Sequence, residues 1–139
     1  MSTSTQRLFS KVPRAALLLC GLIMCLAAVA GALDPSVISG TSVLAPDGIT
    51  SIRVDFGGFH LGLGLFALYG VAFPSFLKPG LTAVCTTLSL VVLTRLAGMG
   101  LDGVNDAQTT ILSRELVPFA LSWIGLLCLV RQPKPAIPA

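Results

Sequence analysis

Charged residues are scarce in this chain. Of its 139 residues, nine are Lys or Arg and six are Asp or Glu, which is 11% of the sequence, against about 25% in a typical soluble domain. So few charges cannot cover the surface of a soluble protein of this size. Hydrophobic residues make up 54% of the sequence and fall in long runs. An integral membrane protein is therefore the predicted class, because a spanning helix needs roughly 20 apolar residues.

Residues that commonly build catalytic and metal sites are also few. The chain has one histidine, His60, and four cysteines with no C-x-x-C pair, so no zinc or thiol redox site is predicted. It has no phosphate-binding loop or dinucleotide fingerprint, and no basic and aromatic array for nucleic acid. We therefore predict no metal, no cofactor and no nucleic-acid partner. The cysteines are interpreted as small packing residues within the apolar runs.

The apolar runs predict four membrane spans in a single domain, residues 1–139. The link between the second and third spans is so short that the two must form an antiparallel hairpin. The predicted fold is an all-α, up-down four-helix bundle in the membrane. Its predicted spans are residues 15–33, 56–73, 80–97 and 111–130, with outer loops at 34–55 and 98–110 and a disordered, proline-rich tail at 131–139.

Two features leave alternatives open. Ala28-Val29-Ala30 before Gly31 resembles a signal-peptide cleavage site, although the length of the first run and the later spans favour an uncleaved helix. In the first loop, residues 37–38 and 43–44 either pair as a small hairpin or lie in the membrane interface.

The basic residues predict the orientation of the chain. Basic residues concentrate on the cytoplasmic side of membrane proteins, and six of the nine lie on one side if both termini are cytoplasmic. All six acids then fall at the opposite, outer end. We therefore predict a multi-pass protein of the cytoplasmic membrane with both termini inside. The six basic residues are Arg7, Lys11, Arg14, Lys78, Arg131 and Lys134.

The other three basic residues, all arginines, are predicted to form a charge cluster with one histidine and three of the acids at the outer end of the spans. An ionised group costs about 2.5–3.5 kcal/mol at the centre of a bilayer on insertion scales, so these side chains should face one another or the bundle interior. The cluster comprises Arg53, Asp55, His60, Arg95, Asp102, Arg114 and Glu115.

Two interpretations of this charge cluster remain open. In one, salt bridges join the helices, with Arg95 and Glu115 linking the third and fourth spans. In the other, Arg53, His60, Arg95 and Glu115 line an outward pocket that holds the head of a polar or anionic ligand.

Four glycines form a small-residue face on the second span: Gly57, Gly58, Gly62 and Gly64. Small residues let helices approach closely in lipid. We interpret this face as packing against the first or fourth span, with homodimerisation as the alternative.

A set of short motifs carries a family resemblance. From about Ser51 to Val130 the chain resembles the small bacterial four-span membrane proteins of domain-of-unknown-function family 4345. The resemblance implies a four-helix membrane bundle and no particular activity. The motifs are Ile52-Arg53-Val54-Asp55-Phe56-Gly57-Gly58, Leu63-Gly64-Leu65-Phe66, Leu93-Thr94-Arg95-Leu96, Asp102-Gly103 and the glutamate of Arg114-Glu115-Leu116.

Two classes of function fit these observations. The first is a non-enzymatic membrane protein that binds a lipid or small amphiphile, or serves as an accessory subunit of a partner membrane protein. The second is a small, isomerase-like membrane enzyme in which His60 and Glu115 transfer a proton. The second class requires both side chains to reach a common cavity, because a general base must reach its proton.

Overall fold

The chain folds into a bundle of helices. The computed structural model describes residues 3–39 and 46–132. Within them, a π-helical segment (Asp55–His60) precedes α4 and a 3-10 turn (Pro74–Phe76) follows it. The α-helices are α1 (Thr3–Leu33), α2 (Ser36–Ser39), α3 (Pro46–Val54), α4 (Leu61–Ala72), α5 (Leu77–Asp102) and α6 (Asp106–Val130).

Within the described residues, four helical stretches are long and apolar enough to cross a membrane. Large apolar side chains such as Leu26 and Leu93 lie exposed on the outside of the bundle, as suits helices surrounded by lipid chains. The prediction of an all-α bundle with four spans is confirmed. The stretches are Lys11–Leu33, Ile49–Ala72, Pro74–Asp102 and Asp106–Val130.

The helices extend beyond the predicted spans at the end of the bundle that holds the α5–α6 connection, which we call the polar end. The predicted loop 98–110 shrinks to residues 103–105, because Gly98 and Gly100 continue α5, and glycine is frequent in membrane helices. Asn105 then caps α6, since its side-chain oxygen accepts a hydrogen bond of 2.8 Å from the backbone amide of Gln108.

The predicted loop 34–55 also contains helix, because α2 and α3 occupy much of it. Residues 37–38 belong to α2, so their proposed pairing as a strand is wrong. Residues 43–44 and residues 133–139 of the predicted tail lie outside the described part of the chain.

Asp34 anchors the start of α2. Its Oδ1 accepts hydrogen bonds from the hydroxyl (2.6 Å) and the backbone amide (3.0 Å) of Ser36. Both bonds favour the charged carboxylate, the bond from the hydroxyl more than the bond from the amide. They lower the pKa of Asp34 below its ordinary value of 3.8. The chain is thereby turned sharply where α1 ends.

The helix α1 occupies the centre of the packing, with contacts to α4, α5 and α6. The core joins Leu17, Cys20 and Met24 of α1 to residues of α4 and α5. The partner core residues are Ala67, Leu81, Val84 and Leu88.

Glycines set how closely α1 approaches its neighbours. A Cβ added at Gly64 would lie 2.7 Å from Cys25 Sγ, and one added at Gly125 would lie 2.7 Å from Ala16 Cβ. Both distances are too short for a real contact, so α4 and α6 each reach α1 only because these residues lack a side chain.

The helices α4 and α6 lie diagonally across the bundle from each other, because α1 contacts both of them. The helix α5 contacts both α4 and α6. In the described residues α4 and α6 make no comparable contact with each other. A gap in the interior of the bundle therefore separates these two helices, with α1 and α5 on either side of it.

Candidate functional site

A partly open cavity of about 750 Å³ occupies the gap between α4 and α6. Its volume falls within the roughly 300–1,000 Å³ that is usual for small-molecule sites. All four spans contribute to its wall, which is mostly apolar. The lining residues are Ile23, Met24, Ala27, Val54, Phe56, Gly58, Phe59, His60, Gly62, Leu63, Phe66, Thr87, Leu88, Val91, Ile111, Arg114, Glu115 and Pro118.

The cavity runs along the bundle from the polar end toward its middle. On α6 the lining residues extend from Ile111 to Pro118, which is about 10 Å at roughly 1.5 Å per residue. On the second span they extend from Val54 to Phe66, or about 18 Å by the same rise. The hydrocarbon core of a bilayer is about 30 Å thick, so the length of the cavity along the helices is similar to the thickness of one leaflet.

Glu115 lines the cavity and is held by a bidentate ion pair. Arg95 donates from Nε to Oε2 (2.5 Å) and from Nη2 to Oε1 (2.6 Å). The two side chains are 27% and 19% exposed. The predicted link between the third and fourth spans is therefore present, and the charge of Glu115 is compensated.

Arg114 supplies a second charge to the cavity wall. Its side chain is exposed. It forms no ion pair with any described residue. In that part of the chain the one ion pair joins Arg95 and Glu115. Arg114 is thus the uncompensated charge among the lining residues.

His60 is positioned by the π-helical segment. Its Nδ1 lies 3.1 Å from the backbone oxygen of Asp55. Because a carbonyl can only accept, Nδ1 carries the hydrogen and Nε2 is the acceptor atom of the neutral ring. The ring also stacks on Phe56, with centroids 4.3 Å apart and an angle of 12° between the planes. Such π-helical turns often occur at functional sites.

The four predicted packing glycines divide into two pairs. Gly64 packs on Cys25, and an added Cβ at Gly57 would lie 3.5 Å from the Ala32 side chain. Gly58 and Gly62 instead line the cavity. A Cβ added to either would meet no described atom within 4 Å. The expected packing of Gly58 and Gly62 against the first or fourth span is absent from the described structure, because the gap between α4 and α6 separates them from a partner.

Four members of the predicted charge cluster do not line the cavity. Arg53 donates from Nε to the backbone oxygen of Ala32, at 3.2 Å, and so joins α3 to the end of α1. Asp55 and Asp102 are exposed. Arg95 reaches the cavity only through Glu115. The pocket predicted from Arg53, His60, Arg95 and Glu115 is therefore corrected to one lined by His60, Arg114 and Glu115.

Several lining residues were not predicted from the sequence. Met24, Phe66 and Thr87 look like any other residues of an apolar span, and no local signal separates them. Pro118 did carry a signal, since a proline inside a helix lacks the N–H that would bond the carbonyl four residues earlier. It is buried, and its carbonyl oxygen lies 3.4 Å from Cys20 Sγ.

The described residues contain no group of three or more His, Cys, Asp or Glu side chains close enough to hold a metal ion. The cysteines are free thiols, with Cys20 and Cys85 buried between helices.

Comparison with known proteins gives one family. The family model described as "Domain of unknown function (DUF4345)" matches residues 12–126. The match includes every residue that lines the cavity. Comparisons with curated proteins and with solved structures each gave no significant match.

Proposed function

The chain belongs to the DUF4345 family, whose description names no activity, and we propose that it binds a lipid or small amphiphile without enzymatic turnover. The observation that carries this proposal is the cavity between α4 and α6, which has ionisable residues toward one end and an apolar wall along its depth. An amphiphile has the same division between a polar head and an apolar tail.

Two glycines at the cavity wall support the proposal that another molecule fills the cavity. Membrane helices associate through close packing, so a gap between two helices forfeits contact energy unless another molecule occupies it. Gly58 and Gly62 keep this gap wide, since neither meets a described atom where its Cβ would be. A bound amphiphile would restore the missing contacts.

The enzyme alternative has one observation in its favour. His60 and Glu115 line the same cavity, which proton transfer between them and a substrate requires. Both carboxylate oxygens of Glu115 already accept hydrogen bonds from Arg95. A proton transferred to Glu115 would have to displace a charge-assisted bond, so binding is the better-supported function. Turnover of a substrate by the purified protein alone would favour the enzyme alternative over binding.

The proposal is tested by filling the cavity. Gly62→Leu and Gly58→Leu each place an apolar side chain in open space at the cavity wall. Gly100→Leu is the matched control, because a Cβ at Gly100 also meets no described atom within 4 Å, and Gly100 does not line the cavity. The full chain is purified in a mild neutral detergent, and native mass spectrometry measures the amphiphile that it retains from the membrane.

We expect the unmodified protein and Gly100→Leu to retain a bound amphiphile at a fixed ratio, and both cavity variants to lose it while remaining helical by circular dichroism. Equal retention by all four proteins would show that the retained lipid lies elsewhere on the bundle. An absence of any retained amphiphile from the unmodified protein would also count against the proposal.

We also propose that the protein lies in the cytoplasmic membrane with both termini inside. The positive charges near the termini and at Lys78 support this orientation by the positive-inside rule. A single cysteine at position 78 or 103, placed in a variant without its native cysteines, tests it with a membrane-impermeant maleimide. Labelling in intact cells is expected for Gly103→Cys and not for Lys78→Cys, and the opposite pattern would invert the orientation.

A further inference from the structure

The charges that face the cavity do not balance. Among its lining residues, Arg114 and Glu115 carry charges and His60 adds a ring nitrogen. The charge of Glu115 is compensated from outside the cavity by Arg95, through two hydrogen bonds. The positive charge of Arg114 is therefore the one left for a bound molecule to match.

The chemistry of arginine narrows the partner further. A guanidinium presents a planar set of donors that fits the two oxygens of a carboxylate or the oxygens of a phosphate. Such charge-assisted bonds are among the strongest available to a protein. In its neutral form the His60 ring offers an acceptor atom, Nε2, when its Nδ1 donates to the backbone oxygen of Asp55. An acceptor of this kind suits a hydroxyl or a protonated acid oxygen on the same head group.

The position of Arg114 matches the head of a molecule that lies along the bundle. Arg114 is in the half of α6 toward the polar end, about 12 Å from the start of the helix at Asp106 by a rise of roughly 1.5 Å per residue, whereas Phe66 and Pro118 mark the deeper lining. By a rise of roughly 1.5 Å per residue, the lining continues for about 6 Å from Arg114 to Pro118 and for about 9 Å from His60 to Phe66, which accommodates the first part of a hydrocarbon tail.

We infer that the ligand of this cavity is an anionic amphiphile whose carboxylate or phosphate head binds Arg114 and whose tail lies against Gly62, Leu63 and Phe66. This inference rests on the proposed function, and it adds the sign of the head charge and the residue that selects it. The pair between Arg95 and Glu115 then has a positioning role, because it keeps the negative charge of Glu115 from repelling the head.

The test uses amphiphiles that share one chain length and differ in the head. A fatty acid and an alkyl phosphate carry negative heads, the primary alcohol is neutral, and the alkyltrimethylammonium is positive. Inorganic phosphate is included to separate a site for a free anion from a site for an amphiphile. Binding to the full, delipidated chain in a neutral detergent is measured by isothermal titration calorimetry.

The variants are Arg114→Gln, Arg114→Lys and the control Arg131→Gln. Arg131 is an exposed arginine beyond the last span, far from the cavity. We expect both anionic amphiphiles to bind more tightly than the alcohol and the cation. Arg114→Gln should weaken their binding about tenfold, as is usual for a lost hydrogen bond to a charged group. Arg114→Lys should restore part of the preference, and Arg131→Gln should leave it unchanged.

The outcomes separate this inference from the proposed function. Equal binding of all four amphiphiles would overturn the anionic head, and a preference for anionic heads that survives Arg114→Gln would overturn the assignment of Arg114 as the residue that selects it. Both results would leave an amphiphile site in place. Binding of inorganic phosphate as tight as that of the alkyl phosphate would mean that the tail contributes nothing, and would also overturn the inference. Failure of every amphiphile to bind the unmodified protein would remove the proposed function itself.

Discussion

The ion pair between Arg95 and Glu115 yields the most direct test of how this bundle is held together. Glu115→Ala leaves the guanidinium of Arg95 without its partner between α5 and α6. Arg95→Ala leaves the carboxylate of Glu115 uncompensated at the cavity. Because each single change strands a charge, the double variant should be more stable than the sum of the two single effects implies.

The expected magnitude follows from geometry and exposure. Exposed ion pairs contribute about 0.2–1 kcal/mol, whereas removing one partner of a fully buried pair costs about 3–5 kcal/mol. This pair makes two short hydrogen bonds, and its side chains are 27% and 19% exposed, so it lies between these limits. Hydrogen bonds between membrane helices contribute about 0.6 kcal/mol on average and about 1.7 at most. We expect each single change to cost about 2 kcal/mol and the coupling energy to be about 1–2 kcal/mol.

The assay is reversible unfolding of the purified protein in mixed micelles, in which a denaturing detergent is titrated and helix content is followed by circular dichroism. The free energies of unfolding of the four proteins close a double-mutant cycle. Additive effects, within about 0.5 kcal/mol, would refute the idea that this pair fixes α5 against α6. The bidentate geometry would then be a consequence of packing by other residues.

Two further predictions concern the contact between α1 and α4 and the turn that follows α1. Gly64→Ala should destabilise the bundle by about 1–3 kcal/mol, as overpacking usually does, because the new Cβ would lie 2.7 Å from Cys25 Sγ. The control is Gly100→Ala, whose Cβ meets open space and which should show no loss of stability in the same assay. An equal loss in both variants would refute the steric explanation. Asp34 has a pKa lowered by Ser36, so its contribution to stability is complete above pH 3.8 and declines as the pH falls below that value. Asp34→Asn should remove this part of the acid dependence of unfolding, and an unchanged profile would contradict the assignment.

The cavity explains why the second span carries so many glycines. Gly64 lets α4 contact α1, where its Cβ would be too close to Cys25. Gly58 and Gly62 face the other way, toward the cavity. One glycine-rich run therefore serves a packed face and an open face, and a small-residue pattern alone cannot distinguish the two.

The architecture could be predicted from the sequence because hydropathy is a local property. A run of about 20 apolar residues must form a helix in lipid, since its backbone has no other hydrogen-bond partners. Four such runs, with a short link that forces the second and third into an antiparallel hairpin, leave an up-down bundle as the simple arrangement. The helix ends were less predictable. Gly98 and Gly100 looked like loop residues, yet α5 continues through both of them.

The link between Arg95 and Glu115 was also within reach of the sequence, because two opposite charges on consecutive antiparallel spans gain by pairing in a medium of low dielectric. The roles of Arg53 and Arg114 could not be predicted from the sequence. Each is an arginine near the polar end of a span, and nothing in the neighbouring residues says that Arg53 would bond the carbonyl of Ala32 while Arg114 would line a cavity.

Only the tertiary structure decided the site, for a physical reason. A side chain's place around a helix depends on the winding of every preceding turn, and the π-helical segment Asp55–His60 changes that winding within the second span. The gap between α4 and α6 arises because α1 and α5 each contact both of these helices and lie between them. The sequence by itself determined the class of protein, the number of its spans and the end at which its acids gather. The cavity, and the choice of His60, Arg114 and Glu115 to line it, came from the packing of all four spans.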